Sequence, residues 1–127
     1  MYSSSGGGLL PVAGVLTYAC TKTFMRYLGI GMNYETGGKV DSMTINFGEV
    51  NTKMCPEYTG PLIISAKHAV QCALRDVGRC DETDGCIRHE FLNSSFRWMA
   101  SNCFSLLEYV FFTMTKADFE SKRNVAK

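Results

Sequence analysis

SSSGGGLLPVAGVLTYACTK, residues 3–22, is the stretch on which the architecture turns. By composition SSSGGG reads as a flexible linker. Alternatively it is the turn after a strand, where glycines let backbone come close to a ligand. From Thr17 to Glu35 the chain reads as a helix. Thr21, Met25, Leu28 and Met32 form one apolar stripe, which Cys20, Phe24 and Tyr27 widen. Gly29 and Gly31 each cost this helix about 1 kcal/mol relative to alanine, which points to close packing there. Gly37-Gly38 stops it.

KVDSMTINF (residues 39–47) then alternates, with Met43, Ile45 and Phe47 on one face, and reads as a strand. The alternation is softer than a fully buried parallel strand would show. Residues 48–60 read as a loop carrying Pro56. Ser65 is a fair N-cap for a helix through about Val77, with Ala69, Cys72, Ala73 and Val77 inward and Gly78 as its stop. The polar turn CDETDG leads into a short segment around Gly85 to His89. Helix, strand, helix and strand after a Ser/Gly turn predict an α/β chain with a parallel sheet.

Residues 96–114 are crowded with aromatic and aliphatic side chains, among them Phe96, Trp98, Leu107, Tyr109 and Phe111. Arg97, Asn102 and Glu108 interrupt the stretch, so it lacks the apolar length of a membrane span. An interfacial helix, a lid over an apolar site, a partner-binding surface and a helix packing on its own core all fit. The tail KADFESKRNVAK reads as solvated.

The length suits one hydrophobic core. Thirteen basic against twelve acidic residues leave no basic face for nucleic acid. The six cysteines (Cys20, Cys55, Cys72, Cys80, Cys86 and Cys103) show no Cys-x-x-Cys pair and no second half of a zinc site. Reduced, mostly buried thiols are expected, with disulfides the alternative. The apolar run from Leu9 to Leu16 lacks the basic flank of a secretory signal.

Tyr18 and Lys22 are one helical turn apart and project from the same face. An ammonium beside a phenol favours the phenolate, which readies a tyrosine to trade protons. Ser5, thirteen positions before Tyr18, adds a hydroxyl that can hold a carbonyl oxygen. The trio suits reduction of a ketone or oxidation of an alcohol. Its bland counterpart is an aromatic on a helix beside a solvated lysine.

In order and spacing these residues resemble the short-chain dehydrogenase/reductase family: a catalytic serine segment, a glycine-containing turn and a Tyr-x-x-x-Lys helix. NFGEVNTKM (residues 46–54) is similar to that family's Pro-Gly-x-Val-x-Thr loop over the nicotinamide, with Gly48, Val50 and Thr52 in agreement and Phe47 where proline is usual. SAKHAVQCALRDVGR, then Gly85-Cys86-Ile87-Arg88-His89 and a hydrophobic C-terminus resemble the 17-beta-hydroxysteroid dehydrogenase and very-long-chain 3-oxoacyl-CoA reductase branch.

The resemblance implies the C-terminal half of a Rossmann-like, doubly wound parallel sheet over residues 1–90, with a hydrophobic helical extension over residues 91–127. It implies NADP(H) as cofactor and a lipid-like ketone, steroid or 3-oxoacyl-CoA, as substrate. Tyr18 would donate its proton to the carbonyl oxygen as hydride reaches carbon, Lys22 would favour the phenolate and hold the nicotinamide ribose, and Tyr18 would join Lys22 in binding the cofactor. Ser5 would orient the carbonyl, and Val50 and Thr52 would contact the nicotinamide. His89 is expected to be structural, bonded to backbone near the substrate loop, and His68 to be surface or core. Homo-oligomerisation through residues 17–35 and membrane association through residues 91–114 are expected, at the cytosolic face of the endoplasmic reticulum or else in the cytoplasm.

A glycine-rich strand–turn–helix that would cradle the pyrophosphate is missing from the sequence, as are the Asn-Asn-Ala-Gly segment and the catalytic asparagine. Met1 falls where the strand leading into the serine should already be ending. The chain therefore reads as a fragment of a longer reductase, inactive alone. The alternative is a non-enzymatic remnant that binds a partner or a membrane.

Overall fold

The computed structural model describes residues 1–11, 14–53 and 60–125; the side chains of residue 114 and of residues 117–125 are outside that description. Cys55 and Pro56 lie outside the described residues. Among the described residues the chain is mixed α/β, with four helices and a small parallel sheet.

The Ser/Gly segment is strand and turn, not linker: β1 spans Tyr2–Ser5 and Gly6–Gly8 form a 3-10 turn. Helix α1 spans Leu16–Glu35, β2 Thr44–Phe47, β3 Val50–Asn51, β4 Ile64–Ser65, α2 Ala66–Asp76, β5 Glu82–Thr83, α3 Ile87–Asn102 and α4 Phe104–Val125. The strands β1, β2 and β5 pair in that order, all parallel, with Ser5 opposite Phe47 and Ile45 opposite Thr83. A two-residue parallel ribbon, β3 with β4, lies within and after the predicted loop.

Alternation along β2 sends its side chains to two helices. Met43 and Ile45 pack with Ala73 of α2, while Thr44 and Asn46 face α1 and are fully buried. The polar face is thus covered, which explains the soft alternation: hydroxyls and an amide stand where a parallel strand would ordinarily carry aliphatics. The hydroxyls bond the helix, while the Asn46 amide donates to Glu82 of β5. Ser4 Oγ donates to the Lys22 carbonyl (2.9 Å), Thr44 Oγ1 to that of Arg26 (3.5 Å), and Ser42 Oγ to that of Gly29. Asn33 closes the far end, donating to the Ser42 carbonyl and accepting from its N–H, each at 2.7 Å.

This seam inverts the expected orientation of α1. Ala19, Arg26 and Gly29 face the sheet, and the apolar stripe faces largely outward, with Phe24 and Tyr27 each 64% exposed. Small and hydrogen-bonding residues win the interface because the helix backbone must approach the sheet hydroxyls closely. Gly29 leaves room for Tyr2 and Thr44, as its close packing suggested, whereas Gly31 has open space beside it.

Helix α2 starts at the predicted cap, with Ser65 Oγ accepting from His68 N–H at 3.2 Å. Ala69, Cys72 and Ala73 are buried, but Val77 is not: the helix ends at Asp76, Val77 turns away, and Gly78 takes φ +72. Helix α3 runs without a break through residues 90 and 91, where the two predicted units would meet. It folds back on α4, with Leu107 buried and Phe96 edge-on to Phe111 at 5.4 Å between ring centres. Among the described residues no helix is long and apolar enough to cross a membrane.

Candidate functional site

Because β1, β2 and β5 are parallel, their carboxyl ends share one edge, and in open parallel sheets ligands bind beyond that edge. Ser5 ends β1 there, Phe47 ends β2 opposite it, and Thr83 ends β5. The 3-10 turn then carries the chain from Ser5 toward α1, and it is stitched to that helix. Thr23 Oγ1 donates to the Gly8 carbonyl at 2.7 Å, and a side chain on Gly8 would lie 2.7 Å from Lys22 Cβ.

The stitching brings Ser5 and Tyr18 together around Gly7, with Lys22 beside Gly8. A Cβ there would stand 3.2 Å from the Tyr18 ring and 3.7 Å from Ser5 Oγ. The Lys22 ammonium lies over the Tyr18 ring, 5.6 Å from its centre. Ser5 Oγ accepts from Gly7 N–H at 3.2 Å and keeps its own proton to donate. Tyr18 is about half exposed. Phenol, hydroxyl and ammonium thus stand on one open surface able to give a proton and hold a carbonyl oxygen. A cleft of about 400 Å³ lies alongside, walled by Leu9, Pro11, Ala19, Cys20 and Tyr27, and none of the trio lines it.

Val50 and Thr52 follow the end of β2. Val50 packs partly against the cluster of Ile64, Ala69, Cys72 and Cys86, and Thr52 lies at an exposed bend. His89 is fully buried and bonds backbone, as expected, with Nε2 3.2 Å from the Glu49 carbonyl. Burial pushes its imidazole below the ordinary value of 6.5, against the opposing pull of the Glu49 carbonyl. His68 is exposed, 3.6 Å from Cys72 Sγ.

Sequence reasoning missed the polar groups beneath this edge. Glu82 accepts from Arg26 Nε and Nη2 (2.6 and 2.7 Å) and from Asn46 Nδ2 (2.6 Å). Burial pushes the Glu82 carboxyl up, but the bonds from Arg26 and Asn46 outweigh it and leave the group below 4.5. Asn93 donates to the Asn46 carbonyl (3.0 Å) and to Asp84 (2.7 Å), and Arg97 stands 3.6 Å from Asp84. The one signal for Asn93 was its spacing: it lies one helical turn after His89.

Among the described residues no cluster of His, Cys, Asp and Glu could hold a metal ion. Of the described cysteines, all free, Cys72 and Cys86 are buried and Cys20, Cys80 and Cys103 exposed, so the thiols are not mostly buried. In comparisons with known proteins, no family model, no curated protein and no solved structure matches this chain.

Proposed function

We propose that this chain carries the proton-donating end of an NAD(P)-dependent carbonyl reductase or alcohol dehydrogenase, of the short-chain dehydrogenase/reductase type, acting within a longer protein. The observation that carries the reading is the convergence of Ser5 and Tyr18 on Gly7, with the Lys22 ammonium over the phenol ring, at the carboxyl edge of a parallel sheet. Ser5 donates to the carbonyl oxygen and Tyr18 protonates it, while Lys22 keeps positive charge beside the phenol as the proton leaves. A bound nicotinamide would supply the hydride; Val50 and Thr52 would contact it, and Lys22 would hold its ribose. The sheet is then the C-terminal half of a Rossmann-like one. The aromatic surface of α3 and α4 suits a lipid-like ketone, a steroid or 3-oxoacyl thioester, presented at the endoplasmic reticulum membrane.

The test joins this chain to a segment bearing a glycine-rich cofactor cradle and follows NADPH oxidation with 3-oxoacyl-CoA and steroid ketones. Tyr18→Phe is expected to abolish reduction while leaving NADPH affinity within about twofold, since only the transferable proton is removed. Retained turnover in that variant removes Tyr18 as the acid.

A second reading is a non-enzymatic protein that binds a partner or a membrane. It is favoured by exposed apolar side chains on α3 and α4, with Phe91 69% and Tyr109 69% exposed. Flotation of the 127-residue chain with phospholipid vesicles supports its membrane form, and a chain left wholly in the aqueous fraction counts against that form.

A further inference from the structure

We propose that Asn93 and His89, one turn apart on α3, are positioning residues that set the two loops of the carboxyl edge: Asn93 fixes the turn that presents Ser5, and His89 fixes Gly48-Glu49, which leads to Val50 and Thr52. The assignment deepens the reductase reading above and rests on it for the roles of those loop residues.

Asn93 is fully buried, and both amide protons are committed, one to the Asn46 carbonyl at the end of β2 and one to Asp84 just beyond β5. That commitment fixes which way the amide faces. Its oxygen then occupies the place a Gly6 side chain would take, next to Ser5, and has no hydrogen-bond partner of its own. A single side chain therefore touches the ends of all three strands. Any residue but glycine at position 6 would collide with it, and a shift of Asn93 would free the turn.

His89 does the same for the neighbouring loop. A carbonyl can only accept, so Nε2 carries the proton toward Glu49 and Nδ1 is bare, buried and unpartnered. The Glu49 carbonyl also accepts from Ile64 N–H at 3.3 Å, so the bond holds the joint between β2 and the β3–β4 ribbon. A Cβ on Gly48 would lie 2.7 Å from the His89 ring, so the loop lies directly on the imidazole. The charged and titratable groups that bear on the ring are Asp84, Glu49 and His68. Protonation at Nδ1 would place a charge where no acceptor waits, and the loop must move to relieve it.

Amide hydrogen exchange on the 127-residue chain tests this. Asn93→Ala is expected to speed exchange at Gly7 and Leu9 about tenfold or more, with Ile64 and the α1 amides within about threefold. His89→Ala is expected to do the reverse, acting on Ile64 and sparing Gly7. His89→Gln keeps a donor near the Nε2 position and cannot titrate. It should restore Ile64 protection and abolish the acid-dependent loss of protection expected of the native chain. Equal acceleration at both loops and in α1, or an unchanged pH profile at Ile64 in His89→Gln, would overturn the assignment. Should an alanine variant fail to fold, the native chain decides: a His89 proton on Nδ1, or Asn93 side-chain protons exchanging as fast as those of an exposed asparagine, overturns it. None of these readouts needs cofactor or turnover. Absent ketone reduction with loop-specific effects removes the reductase reading alone, and the opposite pattern removes the positioning roles alone.

Discussion

Gly29 and Gly31 lie two positions apart on α1 and face opposite demands. A methyl on Gly29 would run into Thr44 Oγ1 and the Tyr2 ring, while one on Gly31 would meet nothing within 4 Å. Gly31→Ala should therefore raise stability by about 0.5–1 kcal/mol through helix propensity alone. Gly29→Ala should lower it by about 1–3 kcal/mol through overpacking. Urea denaturation of the two variants checks the pair, and changes of the same sign would contradict the packing at one of them. Both glycines were visible in the sequence, but their spacing on a helix could not tell which one met a wall.

Glu82 makes the same point for charge. Arg26 grips it with two nitrogens, so the pair ties α1 to β5, with each side chain about a quarter exposed. Glu82→Gln keeps the shape and loses the charge, and should cost about 1.5–3 kcal/mol by urea denaturation. Nothing in the sequence pairs Arg26 with Glu82, because their meeting depends on how β5 docks beside β2.

Among the elements, α2 was the most legible. Its cap, buried face and stop are local matters, and only Val77 escaped, because the chain leaves the helix one residue before the apolar period would place it inside. Ser65→Ala should cost about 1 kcal/mol, the usual loss for a serine cap, readable in thermal denaturation. Helix α1 was legible in extent and not in orientation. Hydrophobic periodicity finds a face, and burial is assumed to follow it. Here the sheet offers hydroxyls, so the helix turns its backbone carbonyls and small residues inward. Phe24→Gln and Tyr34→Gln, on the outward side, should each change stability by less than about 0.5 kcal/mol. A loss of several kcal/mol on denaturant titration would mean that those rings are core after all.

For the molecule as a whole, acid should act in two steps. His89 has a folded value below 6.5, so the unfolded chain takes up that proton first. Stability then falls as the pH drops below about 6.5, and levels off beneath the folded value of His89. Glu82, held below 4.5, contributes stability above that pH, which is lost as the pH falls through its folded value. Stability measured against pH should lose the first step in His89→Gln and keep only part of the second in Glu82→Gln, because the bond from Arg75 holds the Asp76 carboxyl low as well.

The α/β order, the extent of α1 and the start of α2 follow from the chain's own pattern, since propensity, capping and glycine stops act over a few residues. Gly37-Gly38 ends α1 at φ +58 and +76, a conformation glycine adopts without strain. The spacing of Ser5, Tyr18 and Lys22 was legible for the same reason: a turn and a helix join them. Which face of α1 meets the sheet, why Thr44 and Asn46 are buried, and how Asn93 comes to lie against Gly6 were not. Those depend on strands and helices far apart in sequence packing so that most buried polar groups find partners, and a pattern read one residue at a time carries no record of that.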